Sequence, residues 1–381
     1  MGILSSQPSW WRTLKINQKS GRRYLSPSSP MARAILMALF LGAALYVIFL
    51  PVSLGVRVFP SSAPRKFAIP EPGVDLLQHF AGSKHCGITQ ADLYKAPQAS
   101  KTHNRTPFCD KRAALLTALS SGGRHGFDEP FVGQGCTYRW FATHEICMIL
   151  ERFNTLTFLG DAIAGDVYTA LNILLREDLA FGGLQQWSMS ERDLDDCACE
   201  KQFLNEDCAA YRVRSSSEVT SIREGEGNVN PYFCERVPHT YIPVTSVPAS
   251  AISRDLFKNQ TYFHSNPWQP SPVILSISQL TSSDVDNGLY ALDEWLSLAT
   301  GAERNIPFLI LGPPAMREES SQAAKRLDTI TAVAKDRHLD VLGLWNMTLP
   351  ANSPDGRQYG ERDALVQAVM VVNWLAMLPT S

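Results

Sequence analysis

The chain has 381 residues, with 35 Lys+Arg against 37 Asp+Glu, 45% hydrophobic residues, 24 Gly, 24 Pro and 8 Cys. This composition excludes a collagenous, low-complexity or wholly disordered protein. The net charge of −2 gives no reason to expect a nucleic-acid partner. The average hides a division along the chain: residues 1–33 carry Arg12, Lys15, Lys19, Arg22, Arg23 and Arg33 and no acid, which leaves 29 basic and 37 acidic residues, a net of −8, for everything after them.

In chain order, residues 1–33 read as a basic, Ser/Pro-rich, disordered cytoplasmic tail. Residues 34–56 hold 23 residues without a charge, which as a helix rising about 1.5 Å per residue cover a bilayer core of about 30 Å. They predict a transmembrane signal-anchor. A buried core helix is disfavoured because it would carry a polar stripe. A cleaved signal peptide gains weight only if translation starts at Met31. The basic tail places the N-terminus in the cytoplasm, so the protein is expected to be a single-pass type II membrane protein whose C-terminal part is lumenal or extracellular, in the endoplasmic reticulum, the Golgi or at the cell surface. Residues 57–73, with Pro60, Pro64, Pro70 and Pro72, read as a stem.

Residues 74–381 carry a globular pattern. Thr155–Leu159 predicts a strand, and Val167, Leu171, Leu174 and Leu175 recur at helical spacing within Asp166–Leu179. A polar, cysteine-rich insertion follows, about residues 185–268. Pro272–Ile277 predicts the next strand and Asp286–Leu298 a helix; Ile306–Leu311 a strand ending at Gly312-Pro313-Pro314; Ser320–His338 a helix; Val341–Leu344 a last strand; and Arg362–Leu378 a closing amphipathic helix after the loop 346–359. Strands spaced by helices predict an α/β fold with a mostly parallel sheet covered on both faces.

All eight cysteines, Cys86, Cys109, Cys136, Cys147, Cys197, Cys199, Cys208 and Cys234, follow the apolar segment. An even number on the oxidising side reads as up to four disulfides of undetermined connectivity. Zinc is the rival reading of Cys197-Ala-Cys199 with Cys208, but no paired metal-ligand spacing supports it, and no metal or cofactor is expected. Asn104, Asn259 and Asn346 open acceptor sequons for N-glycosylation on the same side.

In an α/β sheet the chemistry belongs at the carboxyl ends of the strands. Two segments fall there: Phe158-Leu159-Gly160-Asp161-Ala162 and Ser353-Pro354-Asp355-Gly356-Arg357-Gln358-Tyr359. Together with Gly135-Cys136-Thr137-Tyr138-Arg139-Trp140-Phe141 and Val372-Asn373-Trp374-Leu375, they resemble the PC-esterase group of the SGNH (GDSL-type) acyl esterases. That group includes trichome-birefringence-like polysaccharide O-acetyltransferases and membrane-anchored fungal relatives, and the resemblance spans roughly residues 100–378. It implies a three-layer α/β/α domain, a strand ending in Gly-Asp-Ser with the serine as acyl nucleophile, an Asp-x-x-His pair supplying base and orienting carboxylate, and an oxyanion hole completed by a glycine and an asparagine from two other blocks.

Matched residue by residue, the nucleophile position is Ala162, preceded by Gly160 and Asp161; the aspartate is Asp355; and Gln358 stands in the place of the histidine. Gly165-Asp166 replaces the basic pair after the serine, Ser276–Ser283 holds no Gly, His or Asn, and Gly182-Gly183 is the remaining oxyanion candidate. A methyl group cannot attack an acyl carbon, and a neutral glutamine amide cannot take a proton near neutral pH. The resemblance therefore implies a pseudoenzyme with a binding or accessory role in acyl-ester, polysaccharide or secreted-metabolite modification, acting on carbohydrate or an acylated small molecule, beside an active paralogue. The alternative is an active esterase or O-acyltransferase with a rearranged site. For that alternative Asp161 and Asp166 are candidate acids, against a helix cap and a solvated carboxylate; Ser276, Ser278, Ser282 and Ser283 read as turn and strand-end residues; His125, His144, His264 and His338 have no motif-level role; and Trp187, Trp268 and Trp345 would line a groove or fill core.

Overall fold

The structure is a computed structural model. It describes Met37 and residues 75–78, 80, 85–95, 106–222, 232, 238–262, 268–278, 280, 284–315, 320–351 and 359–379. The chain divides into Met1–Pro70 and Glu71–Ser381, and the architecture below is that of the second unit. The tail, the stem and the apolar segment, Met37 apart, lie outside the described residues, as do Asn104, Cys234, Asp355 and Gln358. Among the described residues no helix is long and apolar enough to cross a membrane.

Five strands, β1 (Leu156–Gly160), β2 (His239–Pro243), β3 (Val273–Ser276), β4 (Phe308–Leu311) and β5 (Asp340–Leu342), form an all-parallel sheet in the order β2-β1-β3-β4-β5. The principal helices are α1 (Arg112–Ser121), α2 (Thr143–Leu150), α3 (Ala162–Arg176), α4 (Ala251–Tyr262), α5 (Val285–Thr300), α6 (Ser320–Asp336) and α7 (Glu361–Ala376). The fold is α/β, as the alternation predicts.

The sheet is covered on both faces because its strands alternate. Phe158, Ile274, Leu309 and Leu311 enter one buried cluster with α3 and α7, while Leu159, Val273, Leu275 and Ile310 enter another with Phe257 of α4, Trp295 of α5 and Ile330 of α6. Phe257 meets Trp295 edge-on at 5.2 Å. Helix α3 packs on α7 with almost its whole surface buried.

Three features differ from the sequence expectation. Helix α3 starts at Ala162, four residues before Asp166, because Asp161 Oδ1 accepts from the Ile163 N–H and so caps the helix there. The region 185–268 is not wholly an insertion between the first and second strands: His239–Pro243 is itself a strand, on the sheet edge, and α4 follows it. His338 lies beyond α6, in a left-handed turn with φ 58°, and not within the helix.

Among the described residues, disulfides join Cys86 to Cys199, Cys109 to Cys136 and Cys197 to Cys208. They settle the alternative at Cys197-Ala-Cys199 and Cys208 in favour of disulfide bonding, and they fit an oxidising, secretory-pathway environment. No group of His, Cys, Asp and Glu among the described residues could hold a metal ion.

Candidate functional site

The strands end in one continuous row. Pro243 of β2 pairs with Gly160 of β1, Gly160 with Ser276 of β3, Ser276 with Leu311 of β4, and Leu311 with Leu342 of β5. Because β1 lies between β2 and β3, chain connections leave it on both sides, and the crevice outside the β1 and β3 ends is the topological switch point of the sheet, where open α/β sheets take ligands.

Gly160, at this point, has φ +130°, and a Cβ there would stand 1.8 Å from the Ser276 carbonyl oxygen. Only glycine fits the conformation and the contact together. The Asp161 N–H donates to that same carbonyl at 3.2 Å, so β1 turns sharply over β3 before entering α3. From the other side the Tyr241 hydroxyl donates to the carbonyls of Gly160 at 3.3 Å and Asp161 at 3.1 Å, and the Val244 N–H donates to Gly160 O at 2.8 Å. Burial and the nearby carboxylates of Asp161 and Asp166 push the Tyr241 phenol well above its ordinary range, so it stays a donor. Asp161 is buried, whereas Ala162, the first residue of α3, is exposed. The turn thus presents to solvent, at the switch point, a methyl group.

Asp166, one turn further on, is not a solvated carboxylate. Arg212 Nη1 donates to its Oδ1 at 2.7 Å, and the same guanidinium donates to the carbonyls of Gln202 and Phe203. Burial raises the Asp166 carboxyl to about 6, with the Arg212 charge opposing and the Asp161 charge adding to the rise. Ser276 is fully buried, and its hydroxyl has no hydrogen-bond partner among the described residues; Ser278 is also buried. Ser282 and Ser283 lie outside the described residues.

Gly182 and Gly183 are not beside Ala162. They pack along the flank of α3, where a Cβ on Gly182 would stand 2.6 Å from Ile173 Cα and one on Gly183 2.2 Å from Thr169 Cγ2. Arg176 Nη1 binds the carbonyls of Gly182 and Leu184, both at 2.9 Å, and its guanidinium lies 5.7 Å from the Trp187 ring. That arrangement gives Trp187 a packing role and the glycines a close-approach role.

The loop carrying Asp355 and Gln358 is outside the described residues, but both its flanks lie at the carboxyl edge. The Tyr359 hydroxyl donates to the Ala315 carbonyl just past β4, and the Ala315 N–H donates at 2.8 Å to the hydroxyl of Thr348, just past β5, in the segment that leads to Ala351. Trp345 opens the short helix Trp345–Thr348, and the Asn346 amide donates to the Ser120 carbonyl. Trp268 is 81% exposed, which excludes it from the core.

His239 received no role from its sequence context. It begins β2, paired with Leu156 at the amino end of the sheet, away from the Gly160 turn. Fully buried, with the Tyr168 hydroxyl 3.0 Å from its Nδ1, it is lowered to about 3 by desolvation and stays neutral. Tyr241, Arg212 and His239 do not stand out in the sequence because their significance depends on partners tens of residues away; the one local signal is the β-branched and aromatic run His239-Thr-Tyr-Ile-Pro243.

The class these observations define is a parallel five-stranded α/β domain whose turn Gly160-Asp161-Ala162, at the switch point, exposes a methyl group and no acid, base or nucleophile of its own. Comparison with known protein families, with curated proteins and with solved structures finds no match.

Proposed function

We propose that the protein is a catalytically degenerate relative of the SGNH/PC-esterase acyl esterases, anchored in a secretory-pathway membrane by residues 34–56, whose lumenal domain binds a carbohydrate or an acylated small molecule without transforming it. The observation that carries this reading is the turn Gly160-Asp161-Ala162. Its backbone is held in a conformation that only glycine reaches, pinned by Tyr241 and β3, and opened to solvent at the first residue of a helix. This is a mounting for a nucleophile, with a methyl group on it. The ancestral reaction would be acyl transfer to or from a hydroxyl, and without nucleophile or base that reaction loses its main contributions. What remains is recognition, beside an active paralogue that performs the chemistry.

The competing reading, an esterase or O-acyltransferase with a rearranged site, draws on Asp166, whose carboxyl near 6 sits one helical turn from Ala162. Its pairing with Arg212 makes it a poor proton carrier. Treating the full chain with a fluorophosphonate probe and assaying acetyl-ester hydrolysis separates the two. No labelling and no turnover are expected; labelling of a serine, or turnover abolished by Asp166→Asn, would overturn the pseudoenzyme reading. The paired substitution Ala162→Ser with Gln358→His is expected to introduce ester hydrolysis, and its failure in a folded variant would count against the family assignment.

A further inference from the structure

Helix α4 divides cleanly into two faces. Ser253, Phe257 and Thr261 are buried against the sheet and α5, while Ile252, Asp255, Leu256 and Asn259 face outward at the i, i+3, i+4, i+7 spacing of a single helical stripe. Ile252 is 73% exposed and Leu256 44% exposed. Ile252 and Leu256, four residues apart, lie side by side on this outer face and give it a small apolar strip. On the same stripe, one turn beyond Leu256, stands Asn259, the acceptor residue of Asn259-Gln-Thr261.

We propose that Asn259 carries an N-linked glycan and that this glycan lies back along α4 over Leu256 and Ile252. The inference rests on the secretory placement of the domain. From Asn259 to Ile252 the helix rises about 10 Å, a distance bridged by the first sugars of a glycan, whose C–H faces pack on aliphatic side chains while their hydroxyls face water. The glycan is therefore the occupant of the stripe, covalently held at one end of it.

The order of events follows from Thr261. In the folded protein it is fully buried, and its hydroxyl donates to the Phe257 carbonyl at 2.8 Å, so the third sequon position is inaccessible. Transfer thus precedes the folding of α4. Asn259 Nδ2 forms a C–N bond to the anomeric carbon of an oligosaccharide carried on a polyprenyl diphosphate, the C–O bond to the diphosphate breaks, and the amide proton passes to a base of the host transferase; nothing is oxidised or reduced. Folding afterwards requires only that Asn259 face solvent, as it does.

The test uses the full chain expressed in a eukaryotic host and deglycosylated enzymatically in ¹⁸O-water, with peptide mass spectrometry locating the label. Label at Asn259 is expected. Asn259→Gln is the cleaner variant, since Thr261→Ala would also remove a buried hydroxyl; it should raise binding of an apolar dye about twofold and cause concentration-dependent association, and adding Ile252→Ser and Leu256→Ser should reverse both. Label at Asn104 or Asn346 without Asn259 would overturn the proposal while leaving the secretory placement intact; absence from all three overturns both. Unchanged dye binding and association in Asn259→Gln would overturn the covering role.

Discussion

The two ends of α3 make opposite use of the same helix. At its start, Gly160, Asp161 and Tyr241 hold an unusual backbone turn and present an exposed methyl group. At its end, Arg176 is buried, with its guanidinium bound to the carbonyls of Gly182 and Leu184 and set against Trp187. The first end has geometry beyond what a structural helix start needs, since an ordinary cap requires neither a positive φ nor a phenol bridging two carbonyls. The second uses the Arg176 Nη1 donors to hold the chain together. Gly160, Asp161 and Tyr241 nonetheless also join β1, β2, β3 and α3, so the turn is part of the scaffold as well as its exposed end.

The contrast breaks first at Gly160. Gly160→Ala places a methyl against the Ser276 carbonyl and should destabilise the domain by about 4 kcal/mol or prevent folding, read as a drop in the urea midpoint; a midpoint within error of the parent would refute the strained turn. At the other end, Arg176→Met leaves buried carbonyls unpaired and should cost about 2 to 3 kcal/mol, with no effect on binding at the switch point.

A third prediction concerns pH. Burial, with the Glu200 and Asp178 charges, raises Glu361 of α7 to about 8, and burial raises Asp363 to about 7 although its carboxylate pairs with Arg124. Both carboxyls bind protons more tightly folded than unfolded, so their contribution to stability is complete below the ordinary carboxylate range and is lost as pH rises through about 7 to 8. Glu361→Gln should flatten that decline and stabilise the protein at pH 8 by about 1 to 3 kcal/mol; denaturation midpoints at pH 5 and pH 8 with an unchanged slope would contradict it. The smallest effect belongs to Ala162→Ser, which should shift stability by less than about 0.5 kcal/mol because the side chain is exposed. A large shift would mean that the methyl is packed and the site closed.

Where periodicity was strong, the sequence was legible. The strands at 272–277 and 306–311 and the helices at 286–298 and 320–338 match the observed elements within about two residues at nearly every end. The edge strand was hidden because five residues ending in proline, inside a polar cysteine-rich stretch, carry too little pattern to stand out. The amphipathic stripe of α3 is legible only from Asp166, because Ala-Ile-Ala-Gly carries none, whereas Asp161 reads as a helix cap and does cap α3. The Gly160 turn was visible as a motif, but its cause, the Ser276 carbonyl on a neighbouring strand, exists only after the sheet forms. Disulfide partners were out of reach for the same reason.

The disulfide between Cys86 and Cys199 closes a loop of chain with a sequence separation of 113, and the bond between Cys109 and Cys136 is nested inside it. Both β1 and α3 lie wholly within that ring. A protease that cuts once between Cys136 and Cys197 therefore opens a circle without releasing a piece: the nicked protein migrates as one chain until it is reduced, and only then separates into two. The turn that mounts Ala162 is thus retained by covalent topology even after the backbone beside it has been severed.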